Sequence, residues 1–83
     1  MSTADVVLEE LVKISGTDEV RQNLDLALFD EQILDSLGTI ELIVSLGDIL
    51  HIELTPAMVD RKSWATPRKI IADIETRLNP IKG

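Results

Sequence analysis

The sequence predicts an all-α fold: a bundle of three main helices and one short helix, with a long loop after the first helix. Apolar residues recur at the three- and four-residue spacing of amphipathic helices. The apolar content is mostly Leu, Ile, Val and Ala, with one Trp, one Phe and no Tyr. A chain of 83 residues is long enough for one domain, which we place at residues 1–83.

The first helix is predicted over residues 3–14. Thr3 is a candidate N-cap, and Asp5 suits the positive end of the helix dipole. Gly16 is a typical residue at which a helix ends. The predicted buried face consists of Val7, Leu8, Leu11 and Ile14.

About twenty residues then precede the next main helix, which is long for a connection in a small domain. Residues 17–22 can form a short helical turn. Apolar side chains can attach the rest to the bundle, namely Leu24, Leu26, Leu28, Phe29, Ile33 and Leu34. We therefore expect an ordered loop.

The second main helix is predicted over residues 36–50. Asp35 is a good N-cap, because its carboxylate can accept hydrogen bonds from the unpaired N–H groups of the first turn. Ser36 is then the first helical residue. The face that packs on the bundle contains Thr39, Leu42, Ile43, Leu46 and Leu50.

Another face of this helix has the same spacing of apolar residues, at Leu37, Ile40 and Val44. Glu41 and Asp48 interrupt it, and their charges are costly to bury without a partner. We therefore expect this face to meet solvent. A stripe of apolar and acidic residues that starts beside a serine hydroxyl is typical of a docking surface.

Residues 51–54 alternate in polarity too briefly to predict a sheet, so we interpret them as a linker. Thr55-Pro56 is a start signal for a short third helix across residues 57–59. Residues 60–64 are predicted to form a turn that places Trp64 in the interior.

Thr66-Pro67 repeats the start signal and opens the last main helix. Its predicted core stripe is Ile70, Ile71, Ile74 and Leu78. Asn79-Pro80 is predicted to stop the helix, and residues 81–83 are predicted to fray.

The net charge of −7 is unevenly distributed. Residues 1–60 contain two basic and thirteen acidic residues, a net charge of −11, whereas residues 61–83 contain six basic and two acidic residues, a net charge of +4. Ser36 lies in the acidic part. Such a surface repels nucleic-acid phosphates and attracts a basic partner, so we expect no nucleic-acid partner. The alternative explanation is that the acidic charge serves solubility alone.

The absence of cysteine excludes a disulfide, a thiolate metal site and a thiol nucleophile, and it is compatible with a reducing cytoplasm. The longest apolar run, residues 26–29, has four residues, whereas a membrane span needs about 20. No basic region precedes an apolar stretch at the N-terminus, so no secretory signal is predicted. We expect a cytoplasmic monomer without a membrane span.

No catalytic residue and no metal ligand are predicted, because the sequence offers no nucleophile with a base, no metal cluster and no phosphate-binding loop. The one histidine, His51, is separated from Ser36 by a helix of some fifteen residues at about 1.5 Å each. We interpret His51 as an ordinary surface residue. The chain is therefore predicted not to be an enzyme.

Ser36 can instead be the place where another enzyme attaches a group, and a phosphate there would lie near the positive end of the helix dipole. The alternative is structural, because Asp-Ser is a common pair at the start of a helix. The residues alone leave both interpretations open.

The stretch from Phe29 to Leu42, FDEQILDSLGTIEL, resembles the phosphopantetheine attachment region of acyl carrier proteins. The resemblance covers nearly the whole chain. It is greatest with the D-alanyl carrier proteins of teichoic acid D-alanylation, through NLDL at residues 23–26, through LDSLGT at residues 34–39 and, most specifically, through DRKSWATP at residues 60–67. The implied fold is the acyl-carrier-protein bundle.

This resemblance implies that Ser36 carries 4′-phosphopantetheine, added from coenzyme A by a phosphopantetheinyl transferase. A D-alanine-activating ligase would load the arm with a D-alanyl thioester, using ATP. The carrier would then deliver D-alanine at the cytoplasmic face of the membrane to an acyltransferase system that esterifies teichoic acids. The resemblance also implies which residues meet the partner enzymes, namely Asp35, Leu37, Gly38, Ile40, Glu41 and Val44.

Two alternatives remain at the level of the sequence. The cargo can be a fatty, polyketide or other aminoacyl group instead of D-alanine. The chain can also be an unmodified acidic interaction module that uses only the face formed by Leu37, Ile40 and Val44.

Overall fold

A computed structural model describes residues 2–78, and the regular structure over this range consists of helices alone. In chain order these are α1 (Thr3–Ser15), α2 (Glu19–Gln22), α3 (Ser36–Leu50), a 3₁₀ helix (Pro56–Met58) and α4 (Pro67–Leu78). The predicted all-α architecture of three main helices, a short helix and a long first loop is confirmed. The predicted helix stop at Asn79-Pro80 and the frayed tail lie outside the described residues.

Helix α1 starts with a capping box at Ser2. The Ser2 hydroxyl accepts a hydrogen bond of 3.1 Å from the Asp5 N–H, and the Asp5 carboxylate accepts one of 3.4 Å from the Ser2 N–H. The predicted cap at Thr3 is therefore wrong. A cap at Thr3 would place Val6 at the third helical position. Only an acidic or amide side chain at that position can accept the hydrogen bond from the N-cap N–H. At the other end, Gly16 stops the helix as predicted, in the left-handed conformation with φ of 78°.

The buried face of α1 is wider than the apolar spacing predicted, because α1 contacts α2, α3 and α4. Leu8 and Ile14 are only partly buried, whereas Val6 and Glu10 are buried although neither was expected in the core. The carboxylate of Glu10 lies 3.2 Å from the ammonium group of Lys13, which compensates its charge.

The long connection between α2 and α3 is ordered, as predicted, because it is hydrogen-bonded to the segment around α4. The Leu28 N–H donates to the Ala65 carbonyl over 2.9 Å, and the Arg68 N–H donates to the Leu24 carbonyl over 3.0 Å. The guanidinium of Arg68 also pairs with the carboxylate of Asp25 at 2.9 Å. Leu28 and Leu34 are fully buried within this loop.

Helix α3 covers the predicted range and ends at Leu50, and the C-cap residue His51 adopts the left-handed conformation with φ of 55°. The chain then turns back across Gly47, whose carbonyl accepts a hydrogen bond of 3.1 Å from the Ile52 N–H. A Cβ atom on Gly47 would lie 3.2 Å from the Ile52 carbonyl oxygen, so glycine permits this close approach. Residues 52–55 contain no regular structure, as expected for a linker.

The predicted short third helix is present but lies one residue earlier than expected. It is a single 3₁₀ turn that ends at Met58, because Val59 is already extended, with φ of −128° and ψ of 135°. The following turn places Trp64 in the core, as predicted, where the residue is fully buried and its indole N–H donates to the Asp73 carboxylate over 2.8 Å. Within residues 2–78, none of the helices has the length and apolar character that crossing a membrane requires.

Candidate functional site

The start of α3 places Ser36 at the surface. Asp35 is extended, and its carboxylate accepts a hydrogen bond of 2.7 Å from the Gly38 N–H. The Asp35 carbonyl also accepts bonds from the N–H and the hydroxyl of Thr39, over 2.8 Å and 2.7 Å. These bonds make Ser36 the first helical residue, as predicted, and its side chain is exposed to solvent.

Gly38 holds the first turn of α3 close to α1. It is buried, and a Cβ atom there would lie 3.1 Å from the Asp35 carboxylate and 3.3 Å from a methyl group of Ile14. Gly38 is thus buried, unlike the exposed residues that the resemblance implies with it as partner contacts, and its own contact with partner enzymes stays a prediction. Its contribution is to position Asp35 and Ser36 against α1.

Arg61 approaches Ser36 from the turn before α4. Its guanidinium carbon lies 5.0 Å from the centre of the Phe29 ring, within the range of a cation–π contact. One terminal nitrogen, Nη2, lies 3.4 Å from the Ser36 hydroxyl oxygen. The sequence placed Arg61 in a predicted turn and in the DRKSWATP string, but did not predict its contact with Ser36, since the two residues are separated by 25 positions.

Two open grooves meet at Ser36. One of about 250 Å³ extends toward the turn before α4, and one of about 390 Å³ extends along the end of the long loop. Both contain Phe29, Ser36 and Arg61. The first is also lined by Thr39, Ile40, Val59 and Asp60, and the second by Gln32, Leu34 and Asp35.

Asp60 contributes a fixed negative charge to the first groove. Its carboxylate accepts a hydrogen bond of 2.8 Å from the Ser63 N–H, and this bond, with the Ser63 hydroxyl, lowers the pKa of Asp60 below its ordinary value. Among the residues that line the two grooves, the structure shows two carboxylates, Asp35 and Asp60, and one basic side chain, Arg61.

An apolar face continues from Ser36 along α3, and it is exposed as predicted. The exposed fractions are 65% for Leu37, 46% for Ile40 and 61% for Val44. The exposed Glu41 lies between them, and a groove of about 540 Å³ separates this face from α1.

The geometry gives Ser36 an accessible hydroxyl that another enzyme can approach. His51 lies at the opposite end of the fifteen-residue α3, so the two residues do not meet. Within residues 2–78, no cluster of histidine and acidic side chains is arranged to hold a metal ion. An exposed oxygen between open grooves, with a guanidinium beside it, fits a group linked through a phosphate.

No protein-family model matches the sequence. Curated proteins match it over most of its length. It is 44% identical to the D-alanyl carrier protein of Lacticaseibacillus rhamnosus over 69 residues, which cover 83% of this chain and 85% of the relative. It is 43% identical to the D-alanyl carrier proteins of Enterococcus faecalis and Listeria monocytogenes over 75 residues, which cover 90% of this chain and 96% of each relative.

Proposed function

The chain belongs to the D-alanyl carrier protein family, and from this membership we propose that it carries D-alanine on a 4′-phosphopantetheine arm attached to Ser36. The observation that supports this proposal most is the exposed Ser36 hydroxyl at the capped start of α3. In this proposal the chain is not itself an enzyme. It is a substrate and a partner of enzymes.

A phosphopantetheinyl transferase attaches the arm. The Ser36 oxygen bonds to the phosphorus next to the pantetheine part of coenzyme A, and the P–O bond of the coenzyme A pyrophosphate breaks. The hydroxyl proton passes to the transferase, and the nucleotide part of coenzyme A leaves with the bridging oxygen. Asp35 and Gly38 support this step indirectly, because they hold the first turn of α3 so that Ser36 faces solvent. When bound, the arm supplies a terminal thiol that holds the amino acid as a thioester.

The partners are a D-alanine-activating ligase, which loads the carrier, and a membrane acyltransferase system, which receives the amino acid for teichoic acids. We place this work in the cytoplasm, at the inner face of the membrane. The exposed face of Leu37, Ile40 and Val44, with Glu41 between them, supports docking of these enzymes, because apolar contact and an acidic charge are available beside Ser36.

The attachment is tested by the intact mass of the chain after incubation with coenzyme A and a broad-specificity phosphopantetheinyl transferase. The wild type and Ser15→Ala, a serine control in α1, are expected to gain one phosphopantetheinyl group. Ser36→Ala is expected to gain none. An unchanged wild-type mass would contradict the proposal and favour the unmodified interaction module.

The cargo is tested by offering the modified chain, with ATP and a D-alanine-activating ligase, D-alanine, L-alanine or a fatty acid. D-alanine is expected to be loaded in preference. Preferential loading of another acyl group would indicate that the chain is a carrier with a different cargo.

The cargo is expected to remain outside the helical bundle. A buried fatty chain gains about 0.8 kcal/mol for each CH₂ group, whereas burying the ammonium group of an alanyl residue is costly. NMR signals of the fully buried Trp64 and Leu46 should therefore be unchanged when D-alanine is loaded. Shifts of these core signals would contradict an external arm.

A further inference from the structure

We propose that Arg61 is a positioning residue that binds the phosphate attached to Ser36. This inference rests on the proposed function, because it needs a phosphodiester at Ser36. The inference goes beyond the proposed function because it assigns binding of the phosphate to Arg61. This side chain comes from the turn before α4, whereas Ser36 belongs to α3.

The first support is the position of the guanidinium. Nη2 of Arg61 lies 3.4 Å from the Ser36 oxygen, at the outer limit of an N–H···O hydrogen bond, so the contact stabilises the neutral hydroxyl little. It nevertheless places a permanent cation beside the atom that would bear the phosphate. Guanidinium groups bind phosphates through two parallel N–H donors, and such charge-assisted bonds are stronger than bonds to a neutral hydroxyl.

The second support is the ring that orients the guanidinium. Arg61 lies over Phe29, with 5.0 Å between the guanidinium carbon and the ring centre. Contact with the aromatic face restricts the guanidinium plane while leaving its N–H edge available for an anion. The Phe29 ring itself belongs to the long loop, whose hydrogen bonds to the α4 segment keep both partners in place.

The third support is the balance of charge at the site. The carboxylates of Asp35 and Asp60 line the grooves at Ser36, and both are engaged in hydrogen bonds to backbone N–H groups. A phosphodiester would add a further negative charge beside them. Arg61 is the basic side chain among the described groove residues, so it is the group that can offset this repulsion.

A structural role for Arg61 is the competing explanation, since its stacking on Phe29 can help to order the loop. The two explanations differ in the modified protein. If Arg61 has only a structural role, replacing it should lower the stability of the modified and unmodified chains equally. If Arg61 binds the phosphate, replacing it should also change the ³¹P chemical shift of the modified chain.

The test is ³¹P NMR of the modified chain in wild type, Arg61→Gln, Arg61→Lys and the control Arg21→Gln. Arg21 is an exposed arginine of α2 paired with Asp18 at 3.8 Å, and it lines neither groove at Ser36. The modified wild type unfolded in urea supplies the reference shift for a phosphate without the site. Backbone amide spectra of each variant confirm that it is folded.

The folded wild type and Arg21→Gln should share one ³¹P shift that differs from the unfolded reference. Arg61→Gln should move most of the way toward that reference. Arg61→Lys, which keeps the positive charge, should restore part of the wild-type shift. In wild type, the Arg61 Nε resonance should also move when Ser36 is modified, and the Arg21 resonance should not.

A folded Arg61→Gln variant with the wild-type ³¹P shift would overturn the inference. An Arg61 Nε chemical shift that is unchanged when Ser36 is modified would overturn it as well. An Arg61→Lys spectrum without any restoration would contradict the role of the charge. Failure of the proposed function can be distinguished from failure of this inference, because the wild-type chain would then gain no mass in the transferase assay. That result would contradict this inference as well.

Discussion

Asp35 determines where α3 begins and therefore where Ser36 lies. Its carboxylate satisfies the Gly38 N–H, which the first helical turn would otherwise leave without a partner. The absence of a side chain at Gly38 lets this turn approach Ile14 of α1. Asp35 and Gly38 thus hold the first turn of α3 so that the Ser36 hydroxyl is exposed to solvent.

Replacing Asp35 with Ala should lower the free energy of unfolding by about 0.5–2 kcal/mol, because the N-cap bond is lost. Asp35→Asn keeps an acceptor oxygen and should lose much less. Urea denaturation of the unmodified proteins measures both. Equal losses in the two variants would show that the cap bond is not the origin of the effect.

The Asp25–Arg68 pair makes the attachment of the loop to α4 dependent on pH. The hydrogen bond from Arg68 and its positive charge hold the pKa of Asp25 below its ordinary value. Because the folded-state pKa is the lower one, the stabilisation is fully present above the unfolded-state pKa of about 4 and is lost as the pH falls through the folded value. The effect is small, since both side chains are exposed.

The free energy of unfolding of wild type should therefore exceed that of Asp25→Asn at neutral pH, and the difference should shrink as the pH falls below about 4. Urea titrations at several pH values measure this difference. A difference that stays constant or grows on acidification would contradict the sign of the pKa change.

The sequence located Ser36 and Asp35 because the capping signal is local, but it did not predict the contact between Arg61 and Ser36, which is not local. Arg61 and Ser36 are 25 positions apart, and the spacing of apolar residues along the sequence does not predict such a contact. The misplaced cap at Thr3 has a different cause. Ser2 and Thr3 are both good caps, and the choice depends on which residue finds an acidic partner three positions later.

Helix α3 has two apolar faces that serve different purposes. Leu42 and Leu46 are fully buried, whereas Leu37 and Val44 are more than half exposed. The helix therefore holds itself in the bundle with one face and leaves the other free. Spacing and interrupting charges were sufficient to predict this division, because both are properties of a single helix.

Val44→Ala should reduce kcat/KM for loading by the ligase, since Val44 lies on the proposed docking face but away from the reacting group. Ile49→Ala is the matched control, as Ile49 is an exposed apolar residue of α3 outside that face, 46% exposed. Both variants should retain wild-type stability within about 0.5 kcal/mol, because they are surface substitutions. Equal loading of the two variants would argue against docking on this face.

The three main helices and the long loop share one core, and Trp64 joins them. The residue is fully buried and its indole N–H is paired with Asp73, which also accepts a bond of 3.0 Å from Arg77 of α4. The turn that contains Arg61 is thus connected through Trp64 to α4. Sequence patterns predicted that Trp64 is buried but not its partner, because the partner depends on how two elements pack.

Trp64→Ala should lower the free energy of unfolding by about 3–5 kcal/mol, a large part of the 5–15 kcal/mol typical of a folded domain. Trp64→Phe keeps an aromatic ring and removes the N–H donor, so it should cost less. Denaturant unfolding followed by circular dichroism measures both. A loss near zero for Trp64→Ala would contradict the placement of Trp64 in the core.

The bundle as a whole was predictable in its class and its helix ranges, but not in its interhelical contacts. The buried Val6 and Glu10 illustrate the limit, since α1 is covered by several neighbours at once and its buried face exceeds a single stripe. The long loop was predicted to be ordered from its apolar content. The hydrogen bonds that order it join distant residues, Leu28 to Ala65 and Leu24 to Arg68, and follow only from the assembled fold.

The proposed function requires that the Ser36 oxygen is the attachment point of the arm. Fragmentation mass spectrometry of the chain after phosphopantetheinyl transfer locates the added group. We expect a single modified peptide in which the added mass is localised on Ser36. Transfer to any other residue, or no transfer to the folded wild-type chain, would contradict it.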